Sequence, residues 1–224
     1  MDELDKIKER YETRKYKTEV VLDKAIYYSW YMQVERELVY QEILQKKFGN
    51  DRSGLKVIEI GAGTGTNLYF FSKYGFALEN IWANELLEDR FSKLKEDFPG
   101  INLDFGDASK LNYKDKFDVV FQSTVFTSIL DMDFKKKLAH KMLEMTKENG
   151  LILWYDFKYD NPSNKDVKGV GKNEIRDLFK GAKNIKFHSV TVAPPIGRKI
   201  NKLYNFVNTV FPFLRTHLIA EIKK

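Results

Sequence analysis

The run Glu59-Ile60-Gly61-Ala62-Gly63-Thr64-Gly65 is the densest concentration of chemically suggestive residues in the chain. Glycine is needed where a backbone turns sharply and where a ligand must approach it closely. A helix that starts just after such a turn offers unbonded N–H groups to that ligand. The spacing limits which ligand fits. A loop shaped for a pyrophosphate reads Gly-x-Gly-x-x-Gly, which requires glycine at 66, and this chain has Thr66. An acid, Glu59, stands two residues before the first glycine. It would repel a pyrophosphate and favour a ligand carrying positive charge.

Two further acids follow at strand-like ends. Glu85, with Leu86 beside it, closes the run Ile81–Asn84, and Asp107 follows Leu103–Gly106. A carboxylate at the first position can accept both hydroxyls of a ribose. One at the second can accept an adenine amino group, while the Ala108 N–H faces a ring nitrogen. With a cationic amino group and a sulfonium at the glycine loop, these demands describe S-adenosylmethionine. Singly, each acid reads equally well as a helix cap or a solvated loop residue; together they point to this cofactor.

The elements that must carry these residues alternate. Short β-rich runs cover 56–60, 80–84, 101–105, 117–122 and 151–155. Helical patterns lie between them over 69–74, 88–98 and 133–147, with turns at Pro99-Gly100 and Asn149-Gly150. Beyond a polar loop, a helix over 173–179, a strand over 185–192, a basic helical stretch over 198–211 and a strand over 216–222 finish the chain. Alternation of this kind predicts right-handed βαβ units and a parallel sheet with helices on both faces. Before it, apolar residues from 19 to 47 recur at helical spacing (Val20, Val21, Ala25, Tyr28, Val34, Leu38, Ile43, Leu44), as two helices or one bent helix. The expected organisation is a helical cap over 1–53 and a core over 54–224. Loop 157–172 and insertion 194–213 are expected on the acceptor side.

Residues 56–156 resemble a class I methyltransferase core. The resemblance rests on Val57–Thr66, Glu85, Gly106-Asp107-Ala108, Phe117-Asp118-Val119-Val120 and Asn149-Gly150-Leu151-Ile152-Leu153. It implies a doubly wound, Rossmann-like α/β sheet of seven strands, the last antiparallel. It also implies cofactor roles for Gly61, Gly63, Gly65, Glu85, Asp107 and Gln122. Later stretches are similar to a bacterial subset often encoded beside surface-polysaccharide genes: 122–129, 154–157, Ala193-Pro194-Pro195 and Leu214-Arg215-Thr216-His217. The implied reaction is methyl transfer to a small molecule, a hydroxyl of a sugar or glycan precursor.

Transfer to a hydroxyl calls for a base near the carboxyl ends of the strands. Asp156, ending the fifth strand, is the first candidate, with a loop-tying acid as the alternative reading. His217, near the start of the last strand, is the second, with a satisfied strand histidine as the alternative. Phe126, Trp154 and Tyr155 suit either cation–π contact with a sulfonium or the core. Tyr11, Arg14, Tyr27, Tyr28 and Trp30 suit either a lid over acceptor and cofactor or a helix packed on the sheet edge. Arg198 and Arg215 suit an anionic acceptor, because guanidinium grips phosphate in a fork.

Composition narrows the partners. There is no cysteine, and His140, His188 and His217 share no metal-ligand spacing, so no metal is expected. The net charge of +6 is concentrated late, because residues 157–224 hold 14 basic and 5 acidic residues. That excess fits a solvated face, an anionic acceptor or peripheral contact with an anionic membrane. Nucleic acid is not an expected partner, since Gln122-Ser123-Thr124 fills the place where base methyltransferases carry an Asn/Asp-Pro-Pro motif. The N-terminus has no apolar core of a signal segment and no apolar run spans a membrane, so a soluble, cytoplasmic protein is expected. Two competing readings are an NAD-type oxidoreductase, against which Thr66 and Glu59 argue, and a non-catalytic cofactor-binding subunit.

Overall fold

The computed structural model describes residues 2–15, 26–162 and 164–224; for 14, 15 and 26 it describes the backbone alone. The helical spacing read at Val20, Val21 and Ala25 therefore lies outside the described residues, as does the side chain of Arg14.

Seven strands form one sheet: β1 (Val57–Ile60), β2 (Ile81–Glu85), β3 (Asn102–Phe105), β4 (Phe117–Ser123), β5 (Thr146–Phe157), β6 (Asn184–Val192) and β7 (Arg215–Lys223). Their order is β3-β2-β1-β4-β5-β7-β6. Strands β1 to β5 pair in parallel. Strand β7 runs antiparallel to both β5 and β6, so it lies inside the sheet and not at its edge. The winding reverses between β1 and β4, and at such a switch point the loops diverge and open a crevice at the strand ends.

The helices are α1 (Glu3–Lys15), α2 (Ile26–Phe48), α3 (Leu68–Lys73), α4 (Glu88–Asp97), α5 (Met132–Met145), α6 (Lys172–Leu178), α7 (Pro194–Ile200) and α8 (Tyr204–Val210). They cover both faces of the sheet, which is why its central strands are apolar on both sides. On one face Ile58, Val120, Ile152 and Trp154 meet Ile7, Leu138, Met142 and Ile175. On the other, Val57, Phe121, Leu153 and Tyr155 meet Tyr40, Leu44, Phe71 and Leu94. Neighbouring residues enter opposite cores, as the two-residue period of a strand requires.

In α1, Leu4, Ile7 and Tyr11 fall on one stripe packed against the core. Two local readings change. Asn149-Gly150 is not a turn before a strand but an irregularity within β5. The pairing jumps from Phe117–Thr146 to Val119–Leu151, with Asn149 at φ 60°. The basic stretch 198–211 is split into α7 and α8 by a 3-10 turn at Asn201–Leu203. There Asn201 takes a positive φ of 44° that a continuous helix does not allow.

Gly65 makes a close approach between layers. A Cβ there would stand 2.3 Å from Phe98 Cε2 and 2.9 Å from Leu94 Cδ2, on backbone at φ +86°. Gly65→Ala is expected to cost ~1–3 kcal/mol through overpacking, read as a lower urea midpoint at unchanged slope. Gly54, whose Cβ would meet nothing within 4 Å, provides the control, with a change within ~0.5 kcal/mol.

Candidate active site

A cavity of about 450 Å³ opens at the carboxyl ends of β1, β2 and β4. Its floor is the turn Gly61–Thr64 between β1 and α3, with Thr66 and Asn67 beyond it. Gly63 has φ +62°, and a Cβ added there would meet no protein atom within 4 Å. The glycine thus leaves backbone bare toward open space, as close contact with a ligand requires.

The Glu85 carboxylate organises this floor. One oxygen accepts from the Gly63 N–H at 2.7 Å, and the other accepts from the N–H groups of Leu86 and Leu87, each at 2.9 Å. The backbone at the same strand end continues the network. The Ala62 N–H donates to the Asn84 carbonyl at 2.9 Å, and the Gly106 N–H to the Glu85 carbonyl at 2.8 Å. The Asn84 amide then fixes the loop after β3 by donating to the carbonyls of Asp104 and Gly106. Asp107 caps the following 3-10 turn, accepting from the Ser109 N–H at 2.8 Å. Asp107, Ala108 and Leu86 all line the cavity.

Helices close the remaining sides. Leu4, Ile7 and Tyr11 of α1 form one wall, and Arg90 of α4 lies over the Tyr11 ring at 4.6 Å. Arg36 of α2 reaches the same cavity, with its guanidinium 4.5 Å above the centre of the Tyr155 ring. Two buried polar atoms here have no hydrogen-bond partner among the described residues: Arg36 Nε and Glu59 Oε2. Buried groups of this kind are rare and call for a partner.

Glu59 is behind the floor, 1% exposed and absent from the wall. Its other oxygen accepts from the Asn67 amide at 2.7 Å, and Asn67 itself faces the cavity. Burial pushes the Glu59 carboxyl up to about 8; the Asn67 hydrogen bond opposes the rise and the Glu85 charge adds to it.

Residues 32–189 match the family model described as a methyltransferase domain. The chain belongs to that family. No curated protein matches the sequence. Among solved structures, the methyltransferase resembles the N-methyltransferase NodS from Bradyrhizobium japonicum, at 11% identity and a TM-score of 0.64, covering 86% of this chain and 96% of that one. It also resembles a SAM-dependent methyltransferase from Archaeoglobus fulgidus, at 18% identity and TM-score 0.57, covering 88% and 100%. A third is the Haemonchus contortus phosphoethanolamine N-methyltransferase 2 in complex with S-adenosyl-L-methionine, at 16% identity and TM-score 0.60, covering 84% and 52%.

The residues singled out in the sequence of this methyltransferase separate into two groups. Gly61, Ala62, Gly63, Thr64, Glu85, Leu86, Asp107 and Ala108 converge on the cavity. Gly65 does not, because it faces Phe98 and Leu94. Gln122 is fully buried behind the wall, where it accepts from the Val125 N–H and donates to the Tyr155 carbonyl.

The two expected bases are also elsewhere. Asp156 is 1% exposed, and its oxygens accept from the Thr127 hydroxyl at 2.6 Å and from the Thr127 and Phe157 N–H groups at 3.2 Å. It ties the loop after β4 to β5, and burial raises it to about 7. His217 is stacked on Tyr155, with Nδ1 3.1 Å from the Thr216 hydroxyl. Burial, with the Arg36 and Lys158 charges, lowers it to about 4, so it is a weak proton acceptor.

The expected acceptor groups are committed to structure as well. Phe126 is fully buried against Trp154. The Tyr28 hydroxyl donates to the Val192 carbonyl at 2.9 Å. The Arg215 guanidinium donates to Asn208 Oδ1 and to the Asn208 and Ser189 carbonyls. Arg198 is exposed on α7, away from the cavity wall.

Sequence reading did not name Arg36 or Asn67. A signal for Arg36 was present: Arg36, Tyr40, Ile43 and Leu44 share one stripe of α2, and a charge on a core-facing stripe needs a reason.

The burial of Glu59 has a measurable consequence. Its carboxyl rises from 4.5 to about 8 on folding, so the folded state holds a proton that the unfolded state releases. This contribution is complete below 4.5 and is lost as pH rises through about 8. Glu59→Gln keeps an acceptor for Asn67 and removes the titration. Its melting temperature is expected to gain on wild type steadily across that window, as measured by calorimetry over a pH series. Parallel curves would mean that Glu59 does not titrate on folding.

Proposed function

We propose that the cavity binds S-adenosylmethionine and that the protein transfers its methyl group to a hydroxyl of a small acceptor, a sugar or glycan precursor. The reading rests above all on the convergence of the glycine turn, Glu85 and Asp107 on one cavity at the switch point of the sheet. Each has a distinct partner. Gly63 presents bare backbone to the methionine portion and Arg36 supplies a cation for its carboxylate, while Gly61 admits the close approach of Val125 beside it. Glu85 accepts from the ribose hydroxyls. Asp107 accepts from the adenine amino group, beside the Ala108 N–H, with Leu86 against the ring. Glu59 acts through Asn67, orienting that amide toward the amino group. An NAD-type ligand would bring its own negative phosphates against Glu85, the acid that lines the floor.

The bound cofactor supplies an electrophilic methyl on a cationic sulfur. The protein's part is alignment of acceptor and methyl, worth ~7–11 kcal/mol in well-oriented reactions. Neutral hydrogen-bonding groups at Ser123, Thr124 and Asn67 on the wall suit a hydroxylated acceptor. The acceptor's hydroxyl proton passes to solvent water at the open cavity and not to Asp156 or His217, whose oxygens and ring are engaged elsewhere.

Incubation with methyl-labelled S-adenosylmethionine and a panel of nucleotide sugars and soluble glycans tests this reading. Labelled ether product is expected. Arg36→Ala is expected to raise KM for the cofactor by ~10-fold or more, since a hydrogen bond to a charged group contributes ~1.5–3 kcal/mol. Asp156→Asn is expected to retain kcat within a few-fold. A fall of ~10²–10⁴-fold would restore Asp156 as the base, and no transfer to any hydroxylated acceptor would reject the acceptor class.

A further inference from the structure

Helix α8 is unusual for a surface helix in water. Its inner side combines an apolar contact, Tyr204 and Val207 against Tyr28, Tyr31 and Val192, with a polar network. The Tyr204 hydroxyl donates to Glu35 Oε2 at 2.7 Å, and the Asn208 amide donates to Glu35 Oε1 at 2.8 Å while its oxygen accepts from Arg215 Nε. Its outer side is apolar. Leu203, Phe206, Val210 and Phe213 are 62%, 62%, 49% and 75% exposed. Phe206 and Val210 stand four residues apart on one face of the helix, and Leu203 and Phe213 lie in the 3-10 turns at its two ends. Phe211 adds its ring 5.9 Å from Phe213. Across a cleft whose α8 side is polar (Asn205, Asn208 and Thr209), α2 presents a separate apolar group, Trp30, Val34 and Leu38, each more than half exposed. Leu203, Phe206, Val210, Phe211 and Phe213 exposed together within eleven residues of chain are uncommon on a protein that meets only water.

The charge beside the patch selects its partner. Arg198 and Lys199 are exposed on the last turn of α7 and Lys202 in the 3-10 turn between α7 and α8, and no acid occurs between Asp177 and Glu221. A second copy docked about a two-fold axis would bring these cations against their own images. An anionic lipid surface meets both features at once: aromatic and aliphatic side chains enter the interface while Lys and Arg reach the headgroups. No helix among the described residues is long and apolar enough to cross a membrane, so this contact is parallel to the surface.

We propose that α8 and its flanking turns dock the protein on anionic membrane, with Leu203, Phe206, Val210 and Phe213 immersed and Arg198, Lys199 and Lys202 at the headgroups. The segment leaves β6 at Val192 and enters β7 at Arg215, on the same rim as the cavity. Docking therefore brings that rim to the lipid surface. The surface stands on the fold alone and is independent of the acceptor assigned above.

Co-sedimentation of the full chain with vesicles tests it. Binding is expected to phosphatidylcholine mixed with phosphatidylglycerol, and at least ~10-fold weaker binding to phosphatidylcholine alone. Phe206→Ser with Phe213→Ser is expected to abolish binding. Lys199→Glu with Lys202→Glu is expected to weaken it by at least ~10-fold. Because these side chains point outward, S-adenosylhomocysteine affinity is expected to be unchanged in both variants. Failure of the wild type to sediment with either vesicle overturns the proposal, as does equal binding by wild type and both variants. Light scattering that shows a dimer dispersed by the Phe206/Phe213 substitutions, with vesicles ignored, would make the face an interface between copies.

Discussion

One carboxylate connects the parts of this site. Glu85 ends β2, accepts from the Gly63 amide of the neighbouring loop and, through Leu86 and Leu87, holds the chain entering α4. Its own carbonyl accepts from Gly106, which begins the loop that carries Asp107. A side chain in a residue 4% exposed thereby fixes the glycine turn, and the backbone carbonyl of the same residue braces the loop after β3. Hydrogen bonds to an ionised acceptor in such surroundings are the strong ones. The arrangement exists because β1, β2 and β3 are adjacent and in register, with Ile60 opposite Asn84 and Glu85 opposite Phe105.

The same register explains what was legible in the sequence. The glycine turn follows β1, Glu85 is the last residue of β2 and Asp107 lies two residues beyond β3, so strand position alone brings them to one rim. Reading them required only local pattern and the rule for open α/β sheets. The antiparallel β7 was legible only through resemblance, and its place between β5 and β6 not even that way.

The expectations that changed did so because strand-end position does not say what a side chain meets. Asp156 ends β5 as expected, but it points at Thr127 and is enclosed. Gln122 ends β4 but turns inward to secure the next bend. Arg215 is used to anchor α8, so the basic excess in residues 157–224 is not one surface with one purpose. Arg36 shows the converse. It comes from a helix far away in sequence, and its approach to Tyr155 depends on how α2 crosses the sheet, which no local pattern encodes.

The central claim is that the Glu85-braced cavity is built for a cationic adenosyl ligand and not for a dinucleotide. Titration calorimetry of the purified protein tests it most directly, with S-adenosylmethionine, S-adenosylhomocysteine and NAD compared on wild type and on Glu85→Gln. Both sulfur compounds are expected to bind the wild type, NAD to give no comparable heat, and Glu85→Gln to weaken the first two by ~10-fold or more through loss of a charged acceptor. Absence of heat with either sulfur compound, or tighter binding of NAD, would contradict the account.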